Sequence, residues 1–86
     1  MGMSCFSFRL LSAHQLIYKA EVYAVTLPSA KGQVTLLNDH MSMVSALEAG
    51  KVCVQEQKSG ALKDFEICGG FFEMTNSECV VYAHMA

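Results

Sequence analysis

The chain has no tryptophan, a single proline and only six basic residues in its 86 positions. Each shortage narrows what the protein does. Arg9, Lys19, Lys31, Lys51, Lys58 and Lys63 are scattered and the net charge is −2. Neutralising phosphates takes clustered positive charge, so nucleic acid is not an expected partner. Charged or turn residues interrupt every apolar run well short of the roughly 20 residues that span a bilayer as a helix. The start, Met1 to Phe6, has Gly2 where N-myristoylation needs it but Phe6 where that motif requires Ser or Thr. It also lacks the positive region and long apolar stretch of an export signal. Neither lipidation nor export is expected.

Catalytic and metal-binding patterns are equally sparse. Cys5, Cys53, Cys68 and Cys79 stand 48, 15 and 11 positions apart with no C-x-x-C pair, a spacing unlike a zinc site. The expectation is four free thiols behaving as small hydrophobes. His14, His40 and His84 show no metal-ligand spacing. Gly69-Gly70 lacks both phosphate-loop patterns and falls between apparent strands, which suggests a bulge or a close strand crossing. No nucleophile with a base and no carboxylate pair stands out, so we expect no enzyme, no metal, no cofactor and no small-molecule substrate.

What the sequence does have is alternation. Hydrophobic residues make up 52% of the chain and mean hydropathy is +0.30, high for a domain this small, which suggests either apolar surface meeting a partner or simple enrichment in Ala, Cys and Met. Phe6–Leu10, Glu21–Leu27, Lys51–Gln55, Asp64–Cys68, Phe71–Thr75 and Glu78–Ala83 have the period of half-buried strands. The breaks carry turn chemistry: Pro28 to Gly32, Asn38-Asp39-His40, Ala49-Gly50, Lys58 to Gly60, Gly69-Gly70 and Thr75 to Ser77. Met41 to Ala49 reads as irregular to short-helical, because Met43, Val44 and Leu47 share a helical face. With no linker or repeat, residues 1–86 are expected to form one domain. Short strands with frequent turns predict an all-β fold, a sandwich or a barrel.

Three stretches resemble the epsilon subunit of F-type ATP synthases. Phe8 to Gln15 followed by Val22 to Pro28 is similar to that family's opening strands. Gly32 to Gly50 resembles its G-E-x-G-I-L-P-G-H-A-P-L-x-x-x-L-x-P-G block, with Gly32, Leu37, His40, Leu47 and Gly50 in register. Ile67 to Met74 is similar to I-x-G-G-F-x-E-V, and Val80 to Ala86 to the last strand. Asn38, Ser42 and Ala49 stand where the family has proline, Thr35 and Asp39 where it has glycine, and Gln33 where it has a carboxylate.

The resemblance implies an antiparallel β-sandwich of two roughly five-stranded sheets. It also implies a non-catalytic rotor role in the central stalk, binding the gamma subunit and the c-ring and coupling rotation to ATP synthesis, peripheral on the cytoplasmic face of a bacterial inner membrane or the equivalent organelle face. By position, Ser12, His40, Met41, Ser42 and Met43 match the shaft-facing residues, and Lys31, Gly32 and Gln33 the ring-facing loop. Alternatives remain at this level: a hydrogen-bonded loop histidine for His40, core filling for Met41 and Met43, and a solvated tip for Gln33. An unrelated β-sandwich interaction module is the competing reading of the whole. The family's two C-terminal helices have no counterpart after Ala86, so restraint of ATP hydrolysis through them is not expected.

Overall fold

The computed structural model describes residues 5–38, 42–57 and 59–86. Alternation turns into strands along the chain: β1 (Phe6–Ser12), β2 (Gln15–Val22), β3 (Ala24–Ser29), β4 (Gly32–Leu36), β5 (Met43–Leu47), β6 (Gly50–Gln55), β7 (Leu62–Thr75) and β8 (Glu78–Met85). There is no helix among the described residues, as the period-2 pattern requires.

The strands form a single hydrogen-bonded path, β2-β1-β8-β7-β5-β3-β4, with β6 bonded to both β3 and β7. The 14-residue β7 explains how one path makes two layers. Its Gly70–Met74 half pairs with β5 and its Leu62–Ile67 half with β6, so β5 and β6 follow one another along the same strand. Between the halves the ladder to β8 shifts register at Ile67/Gly69. Strands that bend at such bulges are how a sheet turns a corner and packs on itself. The expected division into two five-stranded sheets is therefore not drawn by hydrogen bonding, because β7 belongs to both layers.

Gly70 is what permits the corner. Its φ is +144°, and a Cβ there would lie inside van der Waals contact of the Tyr82 carbonyl oxygen and only 2.8 Å from Ala83 Cα. Only glycine lets β8 approach this closely. The close-crossing reading of Gly69-Gly70 is met.

Both layers turn their alternate side chains onto one core. Phe6, Phe8 and Leu10 of β1, Val25 and Leu27 of β3, Val52 and Val54 of β6, Phe72 and Met74 of β7, and Cys79 and Val81 of β8 are all buried there. Far from the corner the layers are clasped by Tyr18 of β2. Its ring meets Phe65 at 5.0 Å, its hydroxyl donates to Glu56, and Lys63 bonds Glu56 at 3.3 Å while lying 5.4 Å from the ring centre.

Five expectations are corrected. Asp64–Cys68 and Phe71–Thr75, expected as two strands with a break at Gly69-Gly70, run on as the single strand β7. The sandwich is not wholly antiparallel: β1 and β8 pair in parallel, Ser7 to Leu11 against Glu78 to Tyr82, which is possible because nearly the whole chain lies between them as the crossover. Met43–Leu47 is a strand and not a helical turn. Met43, Ser45 and Leu47 turn inward while Val44 and Ala46 face out, and the β7 ladder supplies the backbone partners. Glu21–Leu27 is not one strand, since it breaks at Tyr23 between β2 and β3. Pro28 lies within β3 opposite Gln33 instead of leaving the strand, and its carbonyl accepts from the Glu48 amide at 2.8 Å.

Two predictions follow from the corner and the clasp. Gly32 also has positive φ, +114°, but open space where a Cβ would go. Gly32→Ala should therefore cost only the backbone term of about 1 to 2 kcal/mol, whereas Gly70→Ala should cost at least about 3 kcal/mol. Urea unfolding of both measures this, and equal costs would remove the close approach as the reason for Gly70. Burial, then the hydrogen bond to Glu56, pushes the Tyr18 hydroxyl from the ordinary 10.0 up to about 12. The folded state holds this proton more tightly, so the contribution is complete below pH 10 and disappears as pH rises towards 12. Tyr18→Phe should make stability fall less steeply across that window than it does in the parent, and identical slopes would show the clasp carries no such linkage.

Candidate functional site

Residues directly opposite in a ladder share a face, so the register identifies what the first layer, made of β2, β1, β8, the Gly70–Met74 half of β7 and β5, shows to solvent. Leu16 of β2 pairs with Leu11 of β1, Leu11 with Tyr82 of β8, Tyr82 with Phe71 of β7, and Phe71 with Ala46 of β5. This is an apolar row across five strands on the outer face. Phe71 is 48% exposed and Tyr82 40%, and their rings stack at 4.9 Å and 25°. Val44, 68% exposed, extends the patch one row over. Exposing apolar side chains contiguously costs solvation that a lone protein gains nothing from, and such patches mark interaction surfaces.

The centre of the row borders a groove of roughly 600 Å³ at the corner, lined by Leu11, Ser12, His14, Phe71, Tyr82 and His84 among others. The β1–β2 turn on its rim holds Ala13 at φ 50° and His14 at φ 66°. Two left-handed residues in succession make the hairpin turn whose twist matches the strands. Ser12 is thus positioned by a tight turn, half-buried beside the exposed aromatic pair.

The other expected site residues fall in two places. Met43 opens β5 half-buried against the core, opposite the buried Met74, so the side chain that reaches solvent there is that of Val44. Ser42 is exposed just before β5. His40 and Met41 lie outside the described residues. Lys31, Gly32 and Gln33 are exposed at the β3–β4 turn, where the Lys31 amide donates to Ser29 Oγ at 3.2 Å. The Ala30 amide donates to the Ala46 carbonyl at 3.0 Å, so this turn adjoins the far end of the apolar row. The structure brings Ser12 to one end of the outer face and Lys31 to Gln33 to the other.

Asn38, which the resemblance sets at a proline position, is held by two hydrogen bonds: its Nδ2 donates to the Cys5 carbonyl at 3.1 Å and its Oδ1 accepts from Ser77 Oγ at 2.7 Å. Thr35 faces Thr26 with 3.1 Å between hydroxyl oxygens. Both side chains carry contacts of their own.

Little here is poised for chemistry. Burial pushes the Cys79 thiol up to about 12, and a hydrogen bond to Asp64, then burial, raises that of Cys53. Both shifts oppose the thiolate that a nucleophile or a metal ligand needs. All four cysteines are free. Among the described residues no three His, Cys, Asp or Glu side chains are placed to hold a metal ion, and no helix is long and apolar enough to cross a membrane.

Sequence reading missed Leu11, Val44, Phe71 and Tyr82. Each is a large apolar residue at an outward position beside an inward one, as in Phe71-Phe72 and Val81-Tyr82. That doubling is visible in the sequence, but the pairing that lines them up is not.

Comparisons with known proteins agree with this architecture. The family described as the ATP synthase Delta/Epsilon chain β-sandwich domain matches residues 5–86. The ATP synthase epsilon chain of Bartonella henselae is 34% identical over 76 residues, 88% of this chain and 54% of that protein. That of Endomicrobium trichonymphae is 26% identical over 84 residues, 98% of this chain and 59% of that protein. The chain therefore spans little more than half the length of these relatives. A chain of the Euglena gracilis mitochondrial ATP synthase, solved with OSCP, F1 and c-ring, superposes with a TM-score of 0.84 at 20% identity, covering 96% of this chain and 53% of that one. A chain of the Tetrahymena thermophila mitochondrial ATP synthase central stalk and c-ring gives 0.75 at 13%, covering 98% and 66%. The match across residues 5–86 excludes an unrelated sandwich: the chain belongs to the ATP synthase delta/epsilon β-sandwich family.

Proposed function

We propose that this chain, acting as one β-sandwich unit, is a non-catalytic rotor subunit that docks on the gamma shaft of an F-type ATP synthase, rests on its c-ring and couples ring rotation to ATP synthesis. It then reaches the membrane only through that complex, on the cytoplasmic face of a bacterial inner membrane or the equivalent organelle face. Family membership supports the setting. The observation that carries the docking is the exposed row Leu16–Leu11–Tyr82–Phe71–Ala46 with its stacked aromatic pair.

Ser12 at one end of this row and Ser42 with Met43 beside Val44 at β5 make the face continuous with the positions that match the family's shaft side. His40 and Met41 belong to the same proposed set. A helical shaft laid on a sheet buries apolar side chains that stand in rows, and aromatic residues at the centre of the contact supply most of the affinity. Lys31, Gly32 and Gln33, at the other end, form the ring-facing tip. Gln33 carries no charge, so its contribution there is hydrogen bonding. Torque transmission needs a body that does not shear. One sheet folded through β7, with the Tyr18 clasp closing the side away from the corner, supplies that stiffness.

Co-expression with a gamma subunit and size-exclusion chromatography tests the docking. The parent should co-elute with gamma. Phe71→Asp and Val44→Asp place charges in a desolvated contact and should each weaken binding by about 2 kcal/mol or more, roughly 30-fold. Both should melt like the parent, because their side chains face solvent in the free chain. Met43→Asp should lower the melting temperature, since Met43 packs on the core. Glu66→Lys, on the β6-paired half of β7, should leave binding within a factor of two or so. Failure of the parent to bind overturns the rotor reading, and parental binding by both outer-face variants overturns the placement of the interface.

A further inference from the structure

The outer face of the first layer has a second row beside the apolar one. Lys19 pairs with Arg9, Arg9 with Val80, Val80 with Glu73, and Glu73 with Val44. Along this row Lys19 and Arg9 are basic, Val80 at the centre is buried, Glu73 is acidic, and Val44 at the far end is apolar and exposed. The two rows share one centre, strand β8, which contributes Tyr82 to the first and Val80 to the second.

A face of this kind is complementary to itself. Turn a second copy by 180° about an axis parallel to β8 and lay it face to face. Each row meets its own reverse. Tyr82 meets Tyr82 on the axis beside the buried Val80, Leu11 meets Phe71 and Arg9 meets Glu73, each twice by symmetry, while the aliphatic stem of Lys19 lies over Val44. A rotation about the row direction instead would set the charged row on the apolar one and put Arg9 over Leu11, so the register selects one orientation. Glu78 of the two copies would face each other at the rim, each already neutralised by its own Arg9 at 2.7 Å. We propose that the free chain forms an isologous dimer through this face, held by the Leu11–Tyr82–Phe71 row and by two reciprocal Arg9–Glu73 pairs.

The patch is small for an interface. Five strands about 4.8 Å apart span about 24 Å, and stacking two such patches buries on the order of 1,000 Å² in total, the low end for a specific interface. The dimer is weak and reversible, as contacts at the small end of the range are. It covers the face proposed for gamma, so gamma displaces the second copy and the dimer is a form of the unassembled chain only. Self-association does not depend on the gamma reading, because it is measured on the isolated chain.

Sedimentation equilibrium from about 10 μM to 1 mM tests it. The parent should shift from monomer to dimer across that range. Arg9→Glu and Glu73→Lys should each weaken self-association at least tenfold, because each sets like charges against one another twice. Mixed in equal amounts, the two variants should associate again at close to parental strength, because in the mixed dimer Glu at position 9 faces Lys at position 73 and the other pair is native. The rescue requires a contact that sets Arg9 of one copy against Glu73 of the other, and a mass that stops at two copies shows that the contact closes on itself. If Arg9→Glu melts below the parent, Leu11→Lys and Phe71→Asp form an equivalent pair that leaves the Arg9–Glu78 bond intact, and the same rescue on mixing is expected. A parent that stays monomeric at 1 mM, single variants that dimerise like the parent, or folded pairs that fail to associate on mixing each overturn the proposal.

Discussion

The fold depends on the approach of β7 to β8 at Gly70. With no side chain there, the Tyr82 carbonyl and the Ala83 backbone come close enough for the sheet to turn, and one 14-residue strand serves both layers. The consequences spread from that point. β5 and β6 become consecutive stretches along β7, the core is filled from both layers, and the outer face of the first layer is left continuous from β2 to β5. The same contact places Phe71 and Tyr82 side by side on that face, so the glycine that builds the corner also positions the aromatic pair beside it.

Much of this was legible in the sequence, because β-strand period and turn residues are local. Phe6–Leu10 and Lys51–Gln55 read directly, and Gly69-Gly70 read as a bulge or a close crossing, though not as the interior of one strand. What failed was local evidence overruled by distant partners. Met43–Leu47 has residues that fit one helical face, yet the β7 ladder makes it a strand. Pro28 signals a turn, yet β3 runs through it, because the proline carbonyl still finds the Glu48 amide. The parallel β1–β8 pair joins the two ends of the chain, and no nearby spacing encodes it.

The site divides the same way. Ser12 and the tip Lys31–Gln33 were reached through family motifs, and the structure sets them at opposite ends of one surface. The surface itself, Leu11, Tyr82, Phe71 and their neighbours, was out of reach of sequence alone, since its residues lie up to some 70 positions apart and are joined only by register. Met43 illustrates the limit from the other side. Its motif position points to the shaft, while its side chain packs inward and leaves Val44 facing out. A motif identifies a segment, whereas the strand's alternation decides which of its residues can touch a partner.

The gamma shaft is proposed to lie on the outer face of the first layer. Amide hydrogen exchange of the chain, alone and saturated with gamma, tests it without mutation. Protection should rise at the β1–β2 turn, in β8 near Tyr82 and in the Gly70–Met74 half of β7. It should stay unchanged in β6 and in the Leu62–Ile67 half of β7. Protection confined to that second layer would contradict the account.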